Sequence, residues 1–454
     1  MEKDMTKGPV MRSMLLFAVP LILGNLLQQC YNVADTLIVG KCLGKHALAA
    51  VGSSFALMTF LTSILLGLSM GSSAVFSIYF GSRNEEKLKE SVSASFVLIA
   101  ALTFVINLIA FACLDEIRFF MKVPKEVWGG MRQYLAIIFC GIAAIFLYNF
   151  FASFLRAIGN SIVPLAFLGI SAVLNIALDL WFVLRLNLGI AGAAKATVIS
   201  QYVSGAGIAL YALWRYPMLR QSLAGCFRIQ ASGIREIAGF SILTCIQQSV
   251  MNLGILMVQG LVNSFGPTIM AAFAAAVKID AFAYMPVQDF GNAFSTFIAQ
   301  NYGAKKESRI RAGLRDALLA SSAFSILVSA LVVLFARPLM GLFVSQKEAA
   351  VIWEGVRYLR IEGVFYCGIG CLFLLYGLYR AIGKPGISIL LTILSLGTRI
   401  LLSYALSSIS SIGVLGIWWS VPIGWFLADA AGLLFYMRSK KKTGLFAMEK
   451  SPLQ

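Results

Sequence analysis

Long apolar stretches separated by short polar breaks recur about twelve times along this chain, near 14–39, 52–80, 92–113, 132–155, 161–184, 190–213, 237–262, 270–299, 313–336, 355–379, 386–407 and 413–437. Each meets the roughly 20 residues that an α-helix needs to cross bilayer hydrocarbon. The pattern predicts an all-α polytopic membrane protein of twelve transmembrane helices. Met14 to Val39 is too long for a cleavable signal and carries no small-residue cleavage site, so the first helix is expected to act as its own insertion signal.

Polar residues inside these stretches fall on faces. On the first helix Gln28, Asn32 and Asp35 stand at i, i+4 and i+7, one stripe on an otherwise apolar cylinder. Ser171, Asn175 and Asp179 repeat the pattern on the fifth helix, and Thr197, Gln201 and Ser204 on the sixth. Three polar faces in one half of the chain predict a shared cavity. Asp35 and Asp179 lie at similar depth, each about a helical turn from the outer end of its helix. A carboxylate in hydrocarbon costs several kcal/mol and is seldom kept without a use. Two close together cannot both ionise cheaply, so one takes up a proton or the pair holds a cation with oxygens of Asn32 and Asn175.

The halves are related. LRAIGNSIVP at Leu155–Pro164 returns as YRAIGKPGIS at Tyr379–Ser388, and YFGSRNEEK from Tyr79 returns as NYGAKKESR from Asn301, at offsets of 222 to 224 residues. A period of that size is a duplicated domain, and two like halves around a central site are a transporter plan. The reading is an N-terminal lobe of six helices over 1–214, a basic linker over 215–236, a C-terminal lobe of six helices over 237–438 and a basic tail over 439–454. An even number of crossings per half makes the repeats parallel.

Composition places the chain in the bilayer: 59% of 454 residues are apolar and 13% charged, with a mean hydropathy of +0.84. The net charge of +17 reflects orientation rather than nucleic-acid binding. Lys3, Lys7, Arg12, Arg83, Lys87, Lys89, Arg215, Arg220, Arg228, Arg235, Lys305, Lys306, Arg309, Arg311, Arg315 and the Arg438–Lys442 cluster collect on one side. By the positive-inside rule that side is cytoplasmic and holds both termini, which predicts a multi-pass protein of the inner (cytoplasmic) membrane. The eight cysteines show neither a disulfide framework nor metal spacing and read as small core residues. With no nucleophile or metal constellation, the chain is not read as an enzyme and no cofactor is expected.

The second half is charged differently: Ile255 and Ser403 stand where Asp35 and Asp179 would recur. It carries Lys278, Asp280, Asp289, Glu362 and Arg399 instead. Asp280, Glu362 and Arg399 share the outer half and are read as a neutralising charge network. Tyr284, Met285, Gln288, Asp289 and Asn292 are read as cavity-lining from the eighth helix. Tyr31, Phe150 and Phe154 join Tyr284 and Met285 as a tolerant apolar wall for planar cations. Helix bends are expected at Pro20 and Gly24, Pro286 and Gly291, and Pro422 and Gly424.

The sequence resembles the multidrug and toxic compound extrusion (MATE) family, in the branch similar to DNA-damage-inducible transporters. VPLILGNLLQQCYNVADTLIVG from Val19, ALAAVG from Ala47, the LRAIGN phrase, VLNIALDL from Val173 and FIAQNYGA from Phe297 carry the resemblance over nearly the full chain. It implies a two-lobed, twelve-helix fold and cation-coupled efflux of amphipathic, often cationic small molecules. It also implies that Asp35, Asn175 and Asp179 match the N-lobe acidic cluster of that branch. A similar branch that couples to sodium brings a glutamate in its seventh helix, where this chain has Gln247, Gln248 and Met251.

The expectation is alternating access, with H+ or Na+ as the coupling ion acting at Asp35, Asp179, Asn175 and Asn32. Protonation of the acidic pair lets the first helix repack. A bound Na+ at Asp35, Asn175 and Asp179 is the alternative occupant, though it needs about five or six oxygen ligands, as other hard cations do. One chain holds a complete site, so a functional monomer in the lipid bilayer is expected. A lipid-linked oligosaccharide flippase shares such a fold but calls for unpaired basic residues to meet pyrophosphate, whereas the N-terminal stripes are acidic or neutral.

Overall fold

The computed structural model describes residues 4–43, 45–120, 123, 125–224 and 231–443, and every regular element among them is helical. Lys3, residues 225–230 of the linker with Arg228, and the tail from 444 onward lie outside the described residues. The long helices are α1 (Val10–Leu43), α2 (Lys45–Gly81), α3 (Glu85–Ala112), α4 (Lys125–Phe139), α5 (Ile142–Ala157), α6 (Ile162–Asp179) and α7 (Gly189–Arg215). They continue as α8 (Ala231–Asn263), α9 (Pro267–Gly303), α10 (Glu307–Leu334), α11 (Ala349–Val364), α12 (Tyr366–Ala381), α13 (Pro385–Ser407) and α14 (Val414–Thr443). Among the described residues ten helices are long and apolar enough to cross a membrane, and twelve spans result when α4 with α5 and α11 with α12 each count as one bent crossing.

Those two crossings are where the chain bends sharply, by 45° between α4 and α5 and by 52° between α11 and α12. Neither contains proline, while α1, α9 and α14 run on through Pro20, Pro286 and Pro422. The two breaks therefore lie away from the three prolines at which bends are expected. At the first break the amides of Cys140 and Gly141 bond three residues back, to Ile137 at 3.1 Å and Ile138 at 2.8 Å. The carbonyl of Cys140 is then taken by the Tyr202 hydroxyl at 2.8 Å. At the second, the Phe365 amide reaches the Glu362 carbonyl at 2.9 Å. Tightened turns and an inserted side-chain donor bend a helix as well as proline does.

The chain divides into two compact units. The first comprises Met1–Asp4 and Val19–Cys245, the second Met5–Ala18 and Ile246–Gln454. Each long helix that opens a half is thus divided: the start of α1 belongs to the second unit, and the start of α8 to the first.

In the first unit α2 and α8 meet backbone to backbone. A Cβ at Gly67 would stand 2.5 Å from Cys245 Cα, and one at Gly71 2.5 Å from the Phe240 carbonyl oxygen. Any larger residue there would force the helices apart. Ser72 and Ser241 share a hydroxyl hydrogen bond of 2.9 Å, and the Tyr79 hydroxyl donates to Glu236 at 2.7 Å.

In the second unit the stretch before α1 is strapped to the end of α9. Arg309 donates to the carbonyls of Met5 at 2.9 Å, Lys7 at 3.2 Å and Gly8 at 2.8 Å. Lys306 donates to Thr6 at 2.8 Å, and the Met5 amide donates to Gln300 at 3.0 Å. Asn301, from the repeated NYGA phrase, donates to the Met5 carbonyl at 3.2 Å and accepts from Arg309 at 3.1 Å.

Candidate functional site

The α6 stripe read from the sequence faces α7. Ser171 donates to the Ser200 carbonyl at 3.0 Å, and Asn175 Nδ2 makes a long contact to Thr197 Oγ1 at 3.4 Å. Thr197 in turn bonds the Ala193 carbonyl at 3.1 Å. Asn175 is 1% exposed and Asp179, one turn on, is 0% exposed. At Asp179 the helix changes character, continuing as a π-helical segment, Leu180–Arg185. Such widened turns concentrate where a side chain must be re-aimed.

Asp35 of α1 comes within interaction range of Asp179, and Tyr31 and Tyr134 lie within electrostatic range of both. Asp35 Oδ1, both carboxylate oxygens of Asp179 and Asn175 Oδ1 are buried with no hydrogen-bond partner. Orphaned acceptors at this density are expensive in a folded interior, where nearly all buried polar atoms are paired. One turn beyond the pair, Val39 of α1 and Val183 of the π segment join Val51, Tyr134, Ile138 and Ala194 in an apolar cluster that closes that end.

The remaining first-unit residues surround this pair unevenly. Asn32 bonds Gln29 at 3.2 Å rather than either carboxylate, and Gln28 is exposed. Gln201 lies against the α4–α5 break, its Oε1 being 2.7 Å from where a Gly141 Cβ would stand. Gln201 Oε1 and Ser204 Oγ are buried without partners.

In the second unit Asp280 of α9 and Glu362 of α11 interact closely. The Tyr366 hydroxyl donates to Asp280 Oδ1, and the Tyr358 hydroxyl makes a longer contact to Oδ2 at 3.4 Å. Arg399 acts on both carboxylates electrostatically, but its Nε has no hydrogen-bond partner and it joins no ion pair among the described residues. Tyr358 packs edge-on against the stacked rings of Phe273 and Trp418, at ring distances of 5.5 and 4.9 Å. Of the α9 lining residues, Asp289 is buried, while Tyr284, Met285, Gln288 and Asn292 are half-buried. Asn292 Oδ1 accepts from Arg380 Nη2 at 3.0 Å.

Several placements depart from expectation. Phe150 and Phe154, read as cavity wall, are 1% and 0% exposed, inside an aromatic core with Phe76, Phe96, Phe146 and Phe151. Cys30, Cys42, Cys113 and Cys140 are exposed rather than core residues. Sequence reasoning also passed over Tyr134, the buried Arg380 and Asp429 of α14. Asp429 and Arg380 were legible as charges inside apolar stretches; nothing in the chain flagged Tyr134. Among the described residues no group of three His, Cys, Asp or Glu side chains offers a metal-ligand set. A monovalent cation in the first unit would have to be held by Asp35, Asp179 and Asn175.

Comparison with known proteins is consistent along the whole chain. The MatE family model matches residues 20–181 and 241–405. The chain is 28% identical over 453 residues to the probable multidrug resistance protein YpnP of Bacillus subtilis, covering 98% of this chain and 99% of that one. It is 24% identical over 438 residues to the probable multidrug resistance protein NorM of Thermotoga maritima, covering 95% and 93%. Its fold superimposes on a crystal structure of MATE in complex with MaL6 with a TM-score of 0.89 at 22% identity, over 96% of this chain and 98% of that one. A MOP superfamily transporter from Pyrococcus furiosus is matched at a TM-score of 0.88 and 23% identity, over 97% and 98%.

Proposed function

Because the chain belongs to the MatE family, we propose that it is a cation-coupled antiporter of the cell's inner membrane, driven by protons, that exports amphipathic and often cationic small molecules. The relatives named as probable multidrug resistance proteins support export of small molecules, and the clustering of basic residues supports cytoplasmic termini. The observation that carries the coupling is the facing pair Asp35 and Asp179, with three orphaned carboxylate oxygens beside the orphaned Asn175 oxygen.

A proton answers that arrangement with one particle. It turns one acceptor into a donor, lets the two carboxyl groups hydrogen-bond to each other and removes the repulsion between like charges. Sodium would need about five or six oxygens, and the four orphaned oxygens of Asp35, Asp179 and Asn175 fall short of that without water.

Alternating access then follows as linkage. The substrate binds from the cytoplasmic side while the pair is deprotonated; protons entering from outside reach Asp35 and Asp179, α1 repacks around the neutral pair, and the state with lower substrate affinity is favoured. The π segment after Asp179 and the α4–α5 bend beside Gln201 are the yielding elements nearby. One chain contains every part of this cycle, which supports a functional monomer.

The test is efflux of a fluorescent lipophilic cation from proteoliposomes under a pH gradient or a sodium gradient imposed separately. The pH gradient is expected to drive efflux by the wild type, and Asp35→Asn to reduce it to the level of empty liposomes. Efflux driven only by sodium, or unaltered by Asp35→Asn, sinks the reading.

A further inference from the structure

Asp429 lies in α14 and is 8% exposed. Its Oδ1 is buried with no hydrogen-bond partner, and Asp429 joins no ion pair among the described residues. The polar group that faces it is the Cys371 thiol of α12.

The setting is a close helix pair. A Cβ on Gly368 would lie 3.6 Å from Trp425 Cβ and 3.8 Å from Asp429 Oδ2, and one on Gly432 would lie 2.7 Å from Leu375 Cδ1. The Tyr379 hydroxyl locks the same pair by donating to the Gly432 carbonyl at 2.6 Å. Asp429 thus sits between two points of contact, and Gly368 comes three residues after the bend at Phe365.

The groups around it are few. From α12 come Cys371, with Cys367 one turn before it, and Tyr376, which acts on Asp429 only at longer range and whose hydroxyl interacts with Thr392 of α13. From α13, Arg399 packs at Gly424, five residues before Asp429, where a glycine Cβ would lie 3.6 Å from Arg399 Cβ. From α11, Glu362 is engaged with Asp280. None of these supplies a counter-charge to the Asp429 carboxylate. An ionised carboxylate in such a place is costly, and protonation removes that cost.

We propose that Asp429 is a proton-binding site in the second unit, with the Cys371 thiol as its hydrogen-bonding partner. The thiol is a weak acceptor for the carboxyl proton and a weak donor to the carboxyl oxygen, so it orients the acid without ionising it. Ionisation would place an uncompensated charge between α12 and α14 and favour their separation. This site therefore reports on, and biases, the packing of the bent tenth crossing.

The test is infrared difference spectroscopy of the full-length protein in lipid membranes, taken between neutral and strongly alkaline buffer. An Asp35→Asn/Asp179→Asn background silences the first unit, so the outcome is independent of the coupling reading. A carbonyl stretch from a protonated carboxyl is expected, absent in Asp429→Asn and displaced in Cys371→Ala. If Asp429→Asn does not fold, the Cys371→Ala displacement decides alone. A carboxyl band that both variants leave unchanged, or that Cys371→Ala leaves in place when Asp429→Asn cannot be made, overturns the proposal.

Discussion

The two units each bury two carboxylates beside two tyrosines, and they wire them differently. In the second unit Tyr366 and Tyr358 turn their hydroxyls onto Asp280, Arg399 acts on both acids, and Tyr358 packs edge-on against the stacked Phe273 and Trp418. In the first, Tyr31 and Tyr134 stand near Asp35 and Asp179, yet both Asp179 oxygens stay without a donor. An Asp280 met by two tyrosine hydroxyls, with a cation nearby, is rigid structure even though Glu362 Oε1 has no hydrogen-bond partner, whereas a pair with three orphaned carboxylate oxygens has more to gain from an arriving proton. The same residue types serve as scaffold on one side and as a candidate switch on the other.

The largest effect that would break this contrast is functional. Asp179→Asn is expected to bring gradient-driven efflux in proteoliposomes down to background, and Asp280→Asn to retain most of it once expression and folding are matched. Next in size is stability. Tyr366→Phe removes a hydrogen bond to a buried carboxylate and should cost about 1.5–3 kcal/mol, read as a lower midpoint of thermal unfolding with coupling intact. Tyr31→Phe, which strips a hydroxyl that bonds neither acid, should change that midpoint by much less.

Smaller again is the strap on the second unit. Arg309→Ala removes three donations to the Met5–Gly8 carbonyls and should increase proteolysis near the N-terminus while leaving proton coupling in place. The smallest effect is expected outside both acidic centres, at Asp115, in the loop after α3. Its carboxyl is held below the usual carboxylate range by Arg132, whose Nε donates to it at 2.6 Å. The folded-state value is depressed, so the contribution is present at pH values above the ordinary carboxylate range and lost as pH falls through the folded value. Both side chains are exposed, so Asp115→Asn should leave the neutral-pH unfolding midpoint almost unchanged.

Much of this was legible in the chain because hydrophobic length and helical period are local properties. They gave the twelve crossings and set Asn175 and Asp179 on one face, and the cost of charge in hydrocarbon pointed to Asp35. What period cannot supply is which face meets which neighbour. Phe150 and Phe154 read as wall and are core, because their partner Phe76 comes from another helix about 75 residues earlier. The bends escaped because they arise from i−3 hydrogen bonds and from Tyr202 capping a carbonyl of another helix. Tyr134 was invisible for the same reason. Asp429 was readable by the rule that singled out Asp35, and its lone position on α14, without a polar stripe, hid it.

The most direct measurement counts protons released when tetraphenylphosphonium is added to the purified transporter in weakly buffered detergent solution. The account predicts that the wild type releases protons, that Asp35→Asn/Asp179→Asn releases fewer for each bound cation, and that Asp280→Asn releases as many as the wild type. Unchanged release from the first-unit double variant, with loss in Asp280→Asn, would contradict it and move coupling to the second unit.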